Sequence, residues 1–222
     1  MKTVWKVRIV ASFLLLALSV SGAESPDVIT LPHGADDCSQ LEAGVGDSDQ
    51  PHSVPYTANA ARSLRVDLEH DASMIAFPGN VGFDPNYAIS LRSTSGENWS
   101  LTYAVDKGVI QPSRAFRATV PLPATLAQRV ANVWAYAVAN ARQGSPDCIR
   151  LDGKSYAFSA NGRHAHAWEP NGVPAQLVEI SDTLKIIVLD TKNTGYAPAS
   201  AKGQLARQLE RIESELKVSS QH

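Results

Sequence analysis

The chain has 222 residues, with 20 Lys and Arg against 22 Asp and Glu and a net charge of −2. That balance supplies no counterion-release drive toward nucleic acid, so an electrostatically driven nucleic-acid binder is excluded. Only two cysteines are present, too few for a cysteine-rich scaffold and consistent with one disulfide.

Residues 1–23 read as a cleavable secretory signal peptide. Lys2, Lys6 and Arg8 form a positive start, Ile9 to Val20 is apolar apart from small residues, and Ser21-Gly22-Ala23 offers small residues for cleavage. The apolar run falls short of the roughly 20 residues that a membrane-spanning helix needs. A lipid-modified start has no attachment point, because the first cysteine is Cys38. The mature chain is expected to begin near Glu24, to lack a transmembrane segment and to work in the periplasm or outside the cell. Removing Lys2, Lys6 and Arg8 leaves 17 basic residues against 22 acidic ones, a net charge of −5. In an oxidising compartment Cys38 and Cys148 are expected to pair, and closing so long a loop removes about 5 kcal/mol of unfolded-state entropy.

Residues 24–61 are rich in Pro, Gly, Asp and Ser without a sustained apolar period, which predicts a flexible leader. Leu64, Val66 and Leu68 alternate with Arg65, Asp67 and Glu69, which predicts a strand. Met74 to Phe77 would be its hairpin partner. Tyr87, Ile89 and Leu91, then Trp99, Leu101, Tyr103 and Val105, alternate around the turn at Ser93 to Gly96. Their polar partners Ser90, Arg92, Asn98, Ser100 and Thr102 suggest a sheet with one solvated face. A third strand carries Phe116 and Val120, ended by Pro121 and Pro123.

After Pro123 the period becomes helical, with Leu126, Val130, Val133, Trp134, Ala137, Val138 and Ala141 on one face. Gly144 and Pro146 would stop this helix. Lys154–Ala160 and Arg163–Trp168 flank Asn161-Gly162, the pair suited to a two-residue type I′ turn. That register puts Tyr156, Phe158, Ala165 and Ala167 on an apolar face and His164, His166 and Trp168 on the other with Ser155, Ala157 and Ser159. Pro174–Asp190 forms a second helix with Leu177, Leu184, Ile187 and Val188 inward. Thr191–Ser200 is a linker, and Leu205, Leu209, Ile212 and Leu216 form the stripe of a last amphipathic helix. That stripe suits docking on its own domain, with self-association or a partner helix as the alternative. The expected organisation is α+β over residues 62–190: a mainly antiparallel sheet covered by two helices, then a linker and amphipathic C-terminal helix over 191–222.

His164 and His166, two apart on a strand, present both imidazoles at about 6.6–7 Å between backbones, a spacing one metal can use. A third ligand is not fixed, although Asp152, Glu169, His33 and His52 are candidates. With Trp168 beside them, the pair is otherwise read as part of a shallow binding face. Gly46-Asp47-Ser48 has the look of a hydrolase nucleophile segment but lacks the strand that such a segment follows. Asn98-Trp99-Ser100 fits a glycosylation sequon. Arg92, Arg114 and Arg117 are polar-face candidates for an anion. Motifs for nucleotide, zinc-protease or dinucleotide chemistry are absent, so no cofactor is expected.

Leu151-Asp152-Gly153-Lys154-Ser155-Tyr156-Ala157-Phe158, followed by Trp168-Glu169-Pro170 and Leu177, resembles the C-terminal half of a group of bacterial exported proteins of no established function. These carry a D-G-x-x-Y-x-F hairpin, a W-x-P turn and a closing helix, and an upstream strand like Trp99–Val105. The resemblance implies a shared fold and a place in the bacterial envelope or medium. Together with the pattern above it favours a non-catalytic binding protein with an unknown protein or small-molecule partner. A small metal-dependent hydrolase using the His164/His166 face is the alternative.

Overall fold

The computed structural model describes residues 42–43, 54–78, 85–95, 98–106, 115–143 and 153–219, all of them within one unit, Gly34–His222. The chain runs β1 (Glu42–Ala43), α1 (Val54–Leu64), β2 (Ala72–Phe77), β3 (Tyr87–Ser95), β4 (Asn98–Val105) and β5 (Phe116–Leu122). It continues through α2 (Ala124–Ala139), β6 (Arg142–Gln143), β7 (Ser155–Ala160), β8 (Arg163–Trp168), α3 (Gly172–Thr194) and α4 (Ala199–Ser219). The segment expected to be a signal peptide (1–23), Cys38, Cys148, Ser48 and Arg114 lie outside the described residues.

The strands form one sheet in the order β5-β4-β3-β2-β7-β8-β1-β6. The six long strands are antiparallel throughout, and the two-residue strands β1 and β6 pair in parallel beyond β8. This is the expected α+β class. β3 and β4 form the predicted hairpin, with Ile89 opposite Tyr103 and Leu91 opposite Leu101, so the apolar side chains of both strands share a face. β5 extends it, with Leu101 opposite Val120 and Trp99 opposite Leu122. Pro121 does not end β5 but sits within it, opposite Ser100. Among the described residues β5 is the edge strand, with no strand paired along its outer side, a position where a missing N–H is tolerated.

The apolar sheet face carries the main core. α2 buries Ala127, Val130, Val133, Trp134, Ala137 and Val138 on it. α3 buries Leu177, Ile180, Leu184, Ile187 and Val188, then stops at Gly195, whose φ of 83° is the left-handed cap and whose N–H donates to the Thr191 carbonyl. α4 lies against α2 and α3 with Leu205, Leu209 and Ile212 fully buried and Leu216 partly so. Arg129 forks onto both Glu213 oxygens at 2.9 Å, Arg211 pairs with Glu179, and Gln176 donates to Glu215 at 2.6 Å. The stripe considered for self-association is therefore occupied inside the chain's own core. Among the described residues, no helix is long and apolar enough to cross a membrane.

The other sheet face departs from expectation. Leu64–Leu68 is not a strand, β2 has no hairpin partner there, and the end of the predicted leader is helical: α1 buries Thr57, Ala60, Ala61 and Leu64, three or four residues apart. Arg65 then takes a left-handed φ of 54°, and the Val66 N–H returns to the Ala61 carbonyl at 2.8 Å. The apparent two-residue alternation of Leu64 and Val66 is a helix end followed by a reversal. Arg117 closes that end by donating to the Leu64 carbonyl at 2.7 Å. α1 covers Ile75, Phe77, Ala88, Ala104 and Ala157 in a second core cluster. Ser90 and Thr102 are consequently buried rather than solvated, and Thr102 exchanges a hydrogen bond with Thr119 at 2.9 Å. Deeper in the same face the Ser73 and Ser159 hydroxyls meet at 2.6 Å.

Candidate functional site

The β7–β8 hairpin has the predicted register, Ser159 opposite His164, Ala157 opposite His166 and Ser155 opposite Trp168. Asn161 at φ 52° and Gly162 at φ 70° supply the turn. His164, His166 and Trp168 thus share a face, but it is not an open one. Ala157 and Ser159 between them are buried, and β1 pairs along β8 with Glu42 opposite His166. His164 is half-buried, and loss of water pushes its imidazole below the ordinary value, with the nearby Glu69 charge pulling the other way. Among the described residues, no group of three or more His, Cys, Asp or Glu could hold a metal ion. Glu169, considered as a third ligand, instead accepts the Lys154 N–H at 2.6 Å, while Asp152, His33 and His52 lie outside the described residues. Trp168 packs against Gly153.

The arginines considered for an anion are engaged. Arg92 donates to the buried Asp71 at 2.6 Å and reaches Asp67 at 3.3 Å. Arg117 is committed to the α1 carboxyl end. Asn98, the sequon residue, is exposed and donates to Ser95 at 3.0 Å.

A different cluster emerges on the apolar face at one end of the sheet. Ala76 on β2 stands opposite Tyr87 on β3 and opposite Tyr156 on β7. The β3–β4 register puts Val105 opposite Tyr87 and so brings Tyr103, two residues before it on β4, onto the diagonal. A one-carbon side chain among three phenols leaves a hollow of about 310 Å³, lined also by Phe77, Pro78, Pro85, Lys154 and Lys185. Tyr87 and Tyr103 meet edge-on at 6.0 Å between ring centroids. Lys185 reaches down from α3 with its ammonium 5.0 Å from the Tyr87 centroid and 5.3 Å from that of Tyr103, a cation held over two ring faces.

No family model, curated protein or solved structure matches the chain. The chemistry of the hollow must therefore be read from its own residues.

Desolvation, then the Asp182 charge, raises the Tyr87 phenol well above the ordinary tyrosine value. The same two causes raise Tyr103 and Tyr156, where Glu169 adds to them. At neutral pH all three keep their protons and offer O–H donors. Asp182, one helical turn before Lys185, is exposed, yet protein crowds one side of it enough for desolvation to push its carboxyl up; Lys185 and Lys154 draw it back. A wider groove of about 670 Å³ runs beside β5 past Trp99, Pro121, Tyr196 and Lys202. Its wall is more open to solvent, and the tyrosine hollow is the better-formed receptacle.

Reading the sequence missed this hollow. Tyr87, Tyr103 and Tyr156 were legible as inward strand positions, but nothing local to them shows that β2 lies between β3 and β7. Lys185 was the available signal, a charged residue between the inward Leu184 and Ile187 of α3.

Proposed function

We propose that this chain is an exported, non-catalytic binding protein of the bacterial envelope or medium and that the Tyr87–Tyr103–Tyr156 hollow holds its small-molecule ligand. The observation that carries this reading is the placement of Ala76 between Tyr87 and Tyr156. Elsewhere the same sheet face is closed by Met74, Ile89, Leu91 and Phe158, none more than 1 % exposed. Here the chain leaves space and surrounds it with phenols and amines, the arrangement of an apolar pocket with a few converging polar groups. Tyr156 is also the tyrosine of the D-G-x-x-Y-x-F stretch, so the segment that resembles an exported bacterial group contributes directly to the hollow. Export itself rests on Lys2, Lys6, Arg8 and the apolar run after them, and the Cys38–Cys148 disulfide belongs to the same reading.

The test is a fragment screen by thermal shift and calorimetry on untagged protein from an oxidising host, repeated on Ala76→Leu. A filled hollow should abolish binding while circular dichroism keeps its shape. Fragments that bind Ala76→Leu as well as the natural chain, or no binder at all, would remove the hollow as the site. Export is checked by expression with the native leader, expecting an N-terminus near Glu24. Intact mass before and after reduction reports on the cysteines.

A further inference from the structure

We infer that the ligand is a small monocarboxylate, with its charged end between Lys185 and Lys154 and its apolar body against the three tyrosines. This rests on the hollow being the binding site and goes further by naming what it takes.

The charged side chains lining the hollow are both lysines, Lys154 and Lys185, so the receptacle favours negative charge. Among the described residues neither ammonium lies within ion-pair distance of a carboxylate. Lys185 has two aromatic rings for company, which orient a cation without neutralising it. A ligand cation would meet two ammonium groups and find the faces of Tyr87 and Tyr103 already taken. The phenols remain protonated and can donate to an anion without themselves carrying charge. Ala76, Phe77, Pro78, Pro85 and Val105 complete the wall. That apolar majority suits an anion with an apolar body rather than a bare inorganic one. At about 310 Å³ the space lies at the small end of ligand pockets, below what a peptide or nucleotide needs. The Asp182 carboxylate feels the charge of both lysines and competes for it, so its removal should strengthen binding.

The experiment is calorimetry on the full mature chain with benzoate, its uncharged counterpart benzamide, and inorganic phosphate. Benzoate should bind, and benzamide, equal in shape, should bind about tenfold or more weakly, because the charge-assisted bonds are lost. Lys185→Gln should lower benzoate affinity by a similar factor and narrow the gap between benzoate and benzamide, Lys185→Arg should keep most of the benzoate affinity, and Asp182→Asn should raise it. Should Lys185→Gln misfold, exposed Lys154 provides Lys154→Gln, expected to weaken benzoate severalfold. Equal binding of benzoate and benzamide, tighter binding of phosphate, no benzoate binding, or insensitivity to both lysine variants would overturn the inference. Neutral or cationic fragments lost in Ala76→Leu would in that event leave the hollow as a binding site and refute only the carboxylate.

Discussion

The Trp168 indole lies so close to the backbone of Gly153 that a β-carbon on that glycine would meet three ring atoms at 2.7 Å. The two residues sit at opposite ends of the β7–β8 hairpin segment, and the Glu169 N–H donates to the Lys154 carbonyl at 2.8 Å beside them. Gly153→Ala should therefore cost about 1–3 kcal/mol as an overpacking change, read from urea unfolding. Trp168→Ala in the same chain should relieve most of that penalty, and additive losses in the double variant would show that the contact is not the cause.

Arg65 holds a left-handed backbone at the end of α1 with a full side chain, a conformation that costs an L-residue about 1–2 kcal/mol. Its charge also opposes that of Arg117. Arg65→Gly should raise stability by about 1 kcal/mol, seen as a higher denaturation midpoint at unchanged slope. A loss of stability would mean that the Arg65 side chain contributes more than its backbone strain.

Asp71 is 3 % exposed and accepts both the Arg92 guanidinium at 2.6 Å and the Asp67 N–H at 3.2 Å. Asp71→Ala should destabilise by about 1–3 kcal/mol, since a buried acceptor is removed and a backbone donor is left unpaired. The exposed Arg92 side chain can turn to water, so Arg92→Ala is expected to cost no less, because it strands the buried carboxylate. Comparing the two by chemical denaturation tests that order.

His164 gives the chain a pH dependence of definite sign. Burial holds its folded-state value below the ordinary 6.5, so the unfolded chain binds its proton more readily. Its contribution to stability is whole above the ordinary value and falls away as pH drops through it toward the folded value. Unfolding free energies measured from about pH 8 to pH 5 should decline, and His164→Gln should flatten the decline.

What could be read from sequence was what neighbours along the chain decide. Asn161-Gly162 sets the hairpin register because the partners are joined by the turn itself, and the inward faces of α2, α3 and α4 follow from spacing within each helix. α1 and its sheet face were illegible for a specific reason. Ala88, Ala104, Ala157, Ser73, Ser90 and Ser159 interrupt that face with small residues rather than charged ones, which leaves room for a covering helix. Smallness was the signal, and polarity alone misread it. The hollow was out of reach because Ala76 meets Tyr156 only through the pairing of β2 with β7, a contact between distant segments that no local period encodes.

Pro121 gives the sheet a boundary as well as an edge. A strand arriving alongside β5 would need a continuous row of donors and acceptors, and at Pro121 the row lacks an N–H. Edge-to-edge growth from one molecule to the next would be broken at that point. Pro121→Val is thus expected to leave the fold intact while shortening the lag before fibrils form in a thioflavin assay.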